Sequence, residues 1–548
     1  MDRRDVLADA RRWRDAEPDD DLRDELSAVI AAAESGDESD LLDRFSGTLS
    51  FGTAGLRAAV GAGPMRMNRL VVRQAAAGLV DYLLRSVPRA AERGIIIGYD
   101  ARRKSDLFAR DTARVAAARG MRALVLPRPL PTPVLAWNIT EVGAAAGVMV
   151  TASHNPPADN GYKVYLGTGA QIVPPHDALI AGAIAAVDAC NVPLAAEDNE
   201  LIEVLGDDVV NNYLSFVPTV RLRPDVSRVK VAYTAMHGVG GDTAVRAFAA
   251  SGLAAPIVVA EQHEPDGSFP TVSFPNPEEK GAMDMVVAVA TMSGADLAVA
   301  NDPDADRLGV AIPTDVDPAG SGQASWRLLR GDEIGWLLAD HILRNTSGDD
   351  RLVVTTLVSS SLLSKMAAAH GVTCIETFTG FKWIGETALR HPDKRLVFGY
   401  EQALGYLVAG SPLDKDGISA AVLMSELVAF LKTQNTSVEQ RLQQIALEYG
   451  HHVTAELSVR MAPADGQAAV ARLRAEPPES VAGLPVVAVY EYPEAGLLRL
   501  WLLSEGGDGV RVQIRPSGTE PKVKVYGEAV GRSVDELNEI LAAAATLL

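Results

Sequence analysis

The chain has 548 residues, a length that predicts several domains rather than one hydrophobic core. Its formal net charge of −20 disfavours nucleic acid and anionic membranes as partners. Two distant cysteines, Cys190 and Cys374, exclude a disulfide framework and a cysteine zinc site. The charged first residues and the lack of any run of about 18 apolar residues favour a cytoplasmic protein.

The first part of the chain predicts a helical extension followed by a glycine loop. Residues 1–45 are charged and place apolar side chains at helical spacing. Residues 51–57, Phe-Gly-Thr-Ala-Gly-Leu-Arg, then predict a mobile loop that offers backbone N–H donors and the guanidinium of Arg57. A plain glycine turn with a surface arginine is the alternative.

Strand and helix patterns alternate after residue 70. Apolar runs at 95–99, 123–126 and 147–150 predict buried strands, and helical periodicity lies between them. This alternation predicts a parallel sheet covered on both faces, whose ligands gather at the carboxyl ends of strands. The 147–150 run ends in Thr-Ala-Ser-His-Asn-Pro, and Asn-Gly follows at 160–161, so we expect an irregular loop. Ser153 would then lie at the sheet edge, beside His154 and near Lys163.

Two further α/β units follow, with strands at 229–233 and 296–300 and then at 353–357, 373–376 and 396–401. The turn at 234–241 lacks the nucleotide P-loop pattern and leaves His237 as either a site residue or a turn residue. From about residue 451, strands and a closing helix predict a smaller α+β domain. The expected organisation is a helical extension (1–45), three α/β domains with mixed, mainly parallel sheets (46–215, 216–327 and 328–448) and an α+β domain (449–548).

The acidic cluster Asp302, Asp304 and Asp306 follows the 296–300 strand. Three close carboxylates repel one another unless a cation neutralises them, and oxygen ligands favour Mg²⁺, Mn²⁺ or Ca²⁺. An EF-hand fits poorly, because Arg307 stands where that loop needs glycine. A solvated acidic turn is the alternative to a metal site.

The last strand ends in Arg-Pro-Ser-Gly-Thr-Glu-Pro-Lys, residues 515–522. Arg515 can hold a phosphate through two hydrogen bonds, while Ser517, Gly518 and Thr519 can add N–H groups and hydroxyls. A hairpin turn with a basic flank is the alternative. Ser153 lacks the G-x-S-x-G hydrolase pattern, so a serine with Arg57, Lys163 and a carboxylate metal favours phosphoryl transfer.

Taken together, four ordered motifs resemble the α-D-phosphohexomutase family, which contains the phosphoglucomutases and phosphomannomutases. The motifs lie at 151–156, 302–307, 399–406 and 515–521, and the resemblance runs from about residue 45 to the end. It implies domains arranged around a central cleft and an isomerase that shuttles a phosphoryl group through a phosphoserine and a sugar bisphosphate.

The same resemblance implies roles for individual residues. Ser153 would be the phosphoserine and would share Mg²⁺ with Asp302, Asp304 and Asp306. Charge stabilisation or proton transfer would involve Arg57, His154, Lys163 and Lys382. Substrate binding would involve Arg307, Thr379, Gly380, Glu401, Gln402, Ala403, Arg515, Ser517, Gly518, Thr519 and Lys524. The expected partners are sugar phosphates, with sugar 1,6-bisphosphate as activator, and the chain is expected to be a monomer or homodimer.

The sugar loop departs from the common Glu-x-Ser-Gly-His pattern. Here it reads Glu-Gln-Ala-Leu-Gly-Tyr at 401–406, which resembles the branch of larger phosphoglucomutases, phosphopentomutases and sugar-bisphosphate synthases. We expect glucose phosphate as substrate, with mannose phosphate shared. A phosphopentomutase, a glucose-1,6-bisphosphate synthase and a non-catalytic sugar-phosphate sensor are the alternatives.

Overall fold

The computed structural model describes residues 3–52, 55–314, 325–504, 509–516 and 522–548. The described chain divides into two compact units. The first comprises the described part of residues 1–329 together with 384–392 and 404–430, and the second comprises the described part of 330–383, 393–403 and 431–548. Among the described residues, none of the helices combines the length and apolarity needed to cross a bilayer.

The first unit begins with the predicted helical extension. In its second helix, buried Leu22, Leu26 and Ile30 recur every four residues and so lie on one face. A six-stranded mixed sheet follows, in the order β1-β5-β4-β2-β3-β6. The elements are α1 (Arg3–Ala16), α2 (Asp20–Ser35), α3 (Ser39–Arg44), β1 (Leu56–Ala59), α4 (Arg69–Ser86), α5 (Ala90–Arg93), β2 (Ile95–Tyr99), α6 (Ser105–Ala118), β3 (Ala123–Val125), α7 (Thr132–Glu141), β4 (Ala146–Val150), β5 (Asp159–Leu166), α8 (His176–Ala185), β6 (Ile202–Val204) and α9 (Asp208–Phe216).

Two elements of this sheet differ from the sequence prediction. Arg57 lies on strand β1, paired with Gly161, and not in a mobile loop. Strand β5 starts at Asp159, within the stretch predicted as irregular, and runs antiparallel to β4. Both strands are therefore additions to the parallel core β4-β2-β3-β6.

A second sheet of the first unit has the order β11-β10-β9-β7-β8 and is also mixed. Strand β7 pairs in parallel with β8 and β9, and β10 runs antiparallel to β9. The elements are β7 (Val231–Thr234), α10 (Gly241–Ala250), β8 (Ile257–Val258), α11 (Asp284–Ser293), β9 (Leu297–Ala300), β10 (Gly309–Thr314) and β11 (Ser325–Leu328). The acidic cluster lies in the turn that joins β9 to β10.

The next region contains a third sheet, in which β12 pairs in parallel with β13 on one side and with β14 on the other. Because all six residues of β12 are buried, this strand is central. The elements are α12 (Gly331–Asn345), β12 (Arg351–Thr356), α13 (Leu362–Ala369), β13 (Thr373–Thr377), α14 (Lys382–Arg390), β14 (Arg395–Glu401), β15 (Gly405–Leu407), α15 (Gly417–Thr433) and α16 (Val438–Tyr449).

The carboxy-terminal region is an antiparallel sheet with the order β16-β21-β20-β19-β18-β17. Alternating side chains of β20, such as Val510, Val512 and Ile514, are buried in a core that helix α18 covers. The elements are β16 (His452–Arg460), α17 (Pro463–Ala475), β17 (Ser480–Val481), β18 (Leu484–Tyr492), β19 (Leu497–Leu502), β20 (Val510–Pro516), β21 (Lys522–Val530) and α18 (Val534–Ala545). The predicted α/β class with a final α+β domain is confirmed.

A buried ion pair lies within the second unit. Arg511 Nη2 is 2.7 Å from Glu528 Oε2, and both side chains are almost fully buried. Glu528 Oε1 also accepts hydrogen bonds from Ser360 Oγ and Ser361 N. Burial acts to raise the pKa of Glu528, but Arg511 and His452 outweigh it and lower that pKa from 4.5 to about 2.

Replacing Arg511 should strongly destabilise this unit. Arg511→Met leaves the Glu528 carboxylate buried without its cation, a change that costs about 3–5 kcal/mol. Urea unfolding at neutral pH measures the loss, and Arg474→Met, which breaks an exposed pair with Glu491, should change stability by less than about 1 kcal/mol. Equal effects of the two substitutions would contradict this prediction.

The same pair predicts a pH dependence of stability in the wild-type protein. The folded-state pKa of Glu528 is about 2 and its ordinary value is 4.5. The carboxylate therefore stabilises the fold above pH 4.5, and this contribution is lost as the pH falls from 4.5 towards 2. Urea unfolding along this range should show a steeper loss in wild type than in Glu528→Gln.

Candidate active site

Ser153 lies in the loop between β4 and β5, which we call the Ser153 loop (residues 151–158). Its backbone adopts a left-handed conformation with φ of 52°, and its N–H donates to Thr151 Oγ1 at 2.9 Å. The side chain is buried, and Oγ donates to Asp302 Oδ2 at 2.9 Å. The loop therefore directs the serine hydroxyl at the acidic cluster that the sequence predicted.

The three carboxylates Asp302, Asp304 and Asp306 converge, as predicted. Each is fully buried, and one oxygen of each lies within 4.8 Å of one oxygen of the others. The turn that brings them together contains Ala305 with φ of 57° and a hydrogen bond from Ala305 N to Asp302 O. A solvated acidic turn is excluded by this burial.

Cations partly neutralise the cluster. Lys163 Nζ, on strand β5, lies 2.7 Å from Asp304 Oδ2 and 2.9 Å from Asp306 Oδ2. Lys415 Nζ lies 3.1 Å from the same oxygen of Asp306. Arg307 contributes its backbone N–H, which donates to Asp302 Oδ1 at 3.0 Å.

The carboxyl groups respond to these neighbours in opposite ways. Burial, followed by the charges of Asp306 and Asp304, raises the pKa of Asp302 well above its ordinary value. Burial also acts to raise the pKa of Asp306, but Lys163 and Lys415 outweigh it and hold that pKa below its ordinary value. The two lysines therefore stabilise the charged form of Asp306 more than that of Asp302.

The donor set fits a divalent metal ion. Within the described residues, the Oδ1 atoms of Asp304 and Asp306 are buried and have no hydrogen-bond partner. Such orphaned carboxylate oxygens are costly unless a ligand binds them, and oxygen-only donors suit Mg²⁺, Mn²⁺ or Ca²⁺. The acidic cluster can therefore hold a metal ion beside the Ser153 hydroxyl.

Two other predicted residues flank Ser153. His154 Nδ1 lies 3.2 Å from Ser153 Oγ, and burial together with the nearby Arg307 and Arg57 lowers the pKa of His154 well below its ordinary value. A lowered pKa favours the neutral form of this imidazole. Arg57 Nη1 donates to Asn155 Oδ1 at 2.9 Å, so its guanidinium contacts the Ser153 loop.

Sequence reasoning did not assign two residues of this cluster to the site. Thr132, at the start of α7, donates from Oγ1 to Asp304 Oδ2 at 2.7 Å. Lys415 follows β15, more than 100 residues beyond Asp306. For Lys415, the only local sign of a site residue in the sequence is the polar Asp-Lys-Asp-Gly turn at 414–417. For Thr132, the only sign is its position after strand β3. His237 lies buried in its turn, where its Nε2 is 2.8 Å from Thr271 Oγ1.

The second unit contains Glu401, Gln402 and Ala403 of the predicted sugar loop. Glu401 ends strand β14, and its Oε1 accepts from Gly380 N at 2.9 Å. Among the described residues, buried Thr379 Oγ1 has no hydrogen-bond partner. Lys382 Nζ lies 5.4 Å from the ring centre of Trp383. The Glu401 and Thr379–Lys382 segments, distant in sequence, are therefore neighbours.

Four other predicted substrate residues lie in the described part of the second unit: Gln402, Ala403, Arg515 and Lys524. Gln402 Oε1 accepts from Ser359 Oγ at 2.8 Å, with Ala403 next in the chain. Arg515 on β20 is the register partner of Lys524 on β21, and Lys524 Nζ is 2.6 Å from Glu456 Oε1. The predicted phosphate residues Ser517, Gly518 and Thr519 lie outside the described residues.

Comparison with known proteins agrees with this geometry. Models of the phosphoglucomutase/phosphomannomutase family match along the chain: alpha/beta/alpha domain I at 48–190, domain II at 211–315, domain III at 330–449 and the C-terminal domain at 504–547. The four matches follow the order of the sheets described above.

Individual relatives are similar over most of their length. A probable phosphomannomutase of Haemophilus influenzae is 43% identical over 485 residues, which cover 87% of this chain and 96% of that protein. Human phosphopentomutase is 38% identical over 457 residues, 78% of this chain and 73% of that protein. A phosphoglucomutase/phosphomannomutase family structure from Burkholderia thailandensis shares the fold, with a TM-score of 0.68 at 20% identity over 91% of this chain and 96% of that one. The chain therefore belongs to the phosphoglucomutase/phosphomannomutase family of α-D-phosphohexomutases.

Proposed function

We propose that this phosphosugar mutase interconverts glucose 1-phosphate and glucose 6-phosphate, with mannose phosphates as shared substrates. The observation that carries the proposal is the 2.9 Å contact between Ser153 Oγ and Asp302 in a buried three-carboxylate cluster. A serine held beside such a cluster is placed for phosphoryl transfer, which depends mainly on positioning and charge neutralisation.

In the proposed reaction Ser153 carries the phosphoryl group between turnovers. The bond from Ser153 Oγ to phosphorus breaks as a sugar hydroxyl oxygen bonds to the same phosphorus, and the hydroxyl proton leaves to a base. His154, neutral and 3.2 Å from Ser153 Oγ, is able to accept a proton. Arg57 and Lys163 supply positive charge around the loop. The resulting sugar bisphosphate returns its other phosphoryl group to Ser153.

Asp302, Asp304 and Asp306 would hold Mg²⁺ together with the Ser153 phosphate. When bound, the ion neutralises phosphoryl charge. Without it, the chain's own Lys163 and Lys415 already offset part of the carboxylate charge.

The second unit would bind the sugar and the phosphate that is not being transferred. Glu401 and the Thr379–Lys382 segment would bind sugar hydroxyls, with Gln402 and Ala403 beside them. Arg515, Ser517, Gly518, Thr519 and Lys524 would bind the phosphate, and Arg307 would lie beside the metal. We further infer that the chain acts in the cytoplasm on small sugar phosphates, without nucleic acid or membrane partners, as a monomer or homodimer.

A second candidate substrate is a pentose phosphate. It is favoured by the 38% identity to human phosphopentomutase and by the Gln402-Ala403 pair, which replaces the serine-containing sugar loop of many family members. The absence of that serine, and of the histidine of the common pattern, changes which sugar hydroxyls can be bound.

A substrate panel separates these proposals. Turnover of the 1-phosphates of glucose, mannose, ribose and glucosamine is compared by kcat/KM with Mg²⁺ and a trace of glucose 1,6-bisphosphate. The highest value for glucose 1-phosphate supports the proposal, and a higher value for ribose 1-phosphate replaces it with the pentose candidate. Turnover that requires a separate, stoichiometric phosphoryl donor would instead identify a sugar-bisphosphate synthase.

A further inference from the structure

Among the described residues, Arg102 donates more hydrogen bonds to backbone carbonyls of the Ser153 loop than any of the predicted site residues does. It lies in the turn between β2 and α6, and only 3% of it is exposed. Its Nη2 donates to Ser153 O at 2.5 Å and Asn155 O at 2.6 Å. Its Nη1 donates to Pro156 O at 2.7 Å and Asp159 O at 3.1 Å. One guanidinium therefore binds three carbonyls of the loop that carries the reactive hydroxyl and a fourth at the start of β5.

The guanidinium also pairs with a carboxylate of its own turn, that of Asp100. Its Nε lies 3.2 Å from Asp100 Oδ2, and the two side chains are each 1% exposed. The other oxygen, Asp100 Oδ1, accepts from Arg102 N at 3.0 Å and Ser105 Oγ at 2.7 Å. The Asp100 backbone N–H donates to Val150 O, the last residue of β4. The turn after β2 and the loop after β4 thus form one hydrogen-bonded assembly.

The second sheet region of the same unit covers this assembly. The Phe269 ring lies over the guanidinium, with 4.9 Å between Arg102 Cζ and the ring centre. Gly267 packs so closely on the turn that a Cβ there would be 2.4 Å from Ala101 O and 2.7 Å from Arg102 Cα. Arg102 is therefore enclosed by the Ser153 loop, by Asp100 and by Phe269.

The Ser153 loop needs hydrogen-bond donors from outside itself to stabilise its backbone. Ser153 is in the left-handed backbone region, which costs free energy for a residue with a side chain. The loop also includes Pro156 and Pro157, which have no N–H to donate. Its carbonyls need donors from elsewhere, and a planar guanidinium provides several in a fixed geometry.

We propose that Arg102 is a positioning residue for phosphoryl transfer, holding Ser153 Oγ towards Asp302 through the carbonyls of residues 153–159, with Phe269 fixing the guanidinium. This inference rests on the proposed function, since it concerns transfer from Ser153. Arg102 does not touch the reacting hydroxyl: its contacts are with backbone oxygens.

The test compares Arg102→Gln with Arg103→Gln, a matched control. Arg103 is the next residue, and its exposed side chain pairs with Asp21. Two readouts are taken: kcat and KM for glucose 1-phosphate, and amide hydrogen exchange of residues 151–159. In Arg102→Gln we expect kcat to fall about 100-fold with KM changed less than about threefold, because misplacement of a reacting group mainly affects the transition state. Exchange in the loop should rise, and the control should match wild type.

Two further variants keep the proposal testable if Arg102→Gln fails to fold. Arg102→Lys retains the charge, but one ammonium cannot span four carbonyls, so kcat should still fall about tenfold or more. Phe269→Leu keeps an apolar side chain over Arg102 and should raise loop exchange with a smaller loss of kcat.

The outcomes separate this inference from the proposed function. Folded Arg102 variants with wild-type kcat, or with unchanged exchange of residues 151–159, overturn the positioning role while the mutase remains active. A fall in both kcat and thermal stability with unchanged loop exchange shows a merely structural role and also overturns it. A wild-type protein that turns over no sugar phosphate removes the proposed function, and the role of Arg102 in transfer falls with it.

Discussion

Ser153→Ala is expected to abolish mutase turnover, with kcat lower by about four orders of magnitude or more. The substitution removes the only atom of this side chain that can form the phosphate ester. Formation of glucose 6-phosphate, followed by a coupled dehydrogenase, measures the loss.

The same variant should retain its fold. Asp302 loses one hydrogen bond, from Ser153 Oγ, but Oδ1 still accepts from Arg307 N. A net loss of about 1 kcal/mol is expected, which thermal unfolding would detect without a change in far-ultraviolet circular dichroism. Ser215→Ala, at an exposed position of α9, serves as the control for removing a serine hydroxyl.

Intact mass decides whether the hydroxyl carries phosphate. Active wild-type protein incubated with glucose 1,6-bisphosphate should gain about 80 Da, the mass of one phosphate ester. Ser153→Ala should not gain it. Full activity of the alanine variant, or active wild-type protein that never bears this adduct, would remove Ser153 from the mechanism.

The sequence alone predicted the chemistry of the first unit because its reactive groups lie in short motifs. Asp302, Asp304 and Asp306 alternate within five residues after a strand, and their convergence needs only one tight turn. Ser153 and His154 are adjacent in sequence, so the imidazole can lie near the hydroxyl without contacts between distant parts of the chain. Local patterns of this kind are readable before the fold is known.

Residues brought in by tertiary structure were not predictable in the same way. Thr132 reaches Asp304 across 172 positions of the chain, and Arg102 reaches the Ser153 loop across about 50. The Arg102 contact depends on β2 and β4 being parallel neighbours, which places the turns after both strands at one sheet edge. Arg102 lies in a run of polar residues after the 95–99 strand, but nothing local showed that four carbonyls would converge on it.

One local signal was misleading for a physical reason. Asn160-Gly161 is typical of a turn, yet both residues belong to strand β5. A Cβ at Gly161 would lie 2.6 Å from Thr151 O and 2.8 Å from Leu56 O, so this strand position requires glycine for close packing. Asn160 uses its side-chain amide to bind Arg103 O and Ser105 Oγ, which anchors the Arg102 turn. The pair serves packing and not chain reversal.

The second large effect is expected at Lys163, whose ammonium links Asp304 and Asp306. Lys163→Met should destabilise the metal-free protein by about 3–5 kcal/mol, because the variant keeps three buried carboxylates and loses a buried cation. Urea unfolding in the presence of EDTA measures this change. Lys280→Met removes the same charge from an exposed position and should alter stability by less than about 0.5 kcal/mol.

Adding Mg²⁺ should then narrow the difference between Lys163→Met and wild type. A ligand that binds only the folded state stabilises it in proportion to the logarithm of its concentration over Kd. The variant has one more uncompensated negative charge at the cluster, so its folded state should gain more from a divalent cation than wild type does. Stability that is equal in EDTA, or a Mg²⁺ effect that is no larger in the variant, would show that Lys163 does not neutralise the carboxylates. Turnover should remain low even with Mg²⁺, because the ion restores charge balance without restoring the ammonium beside the Ser153 loop.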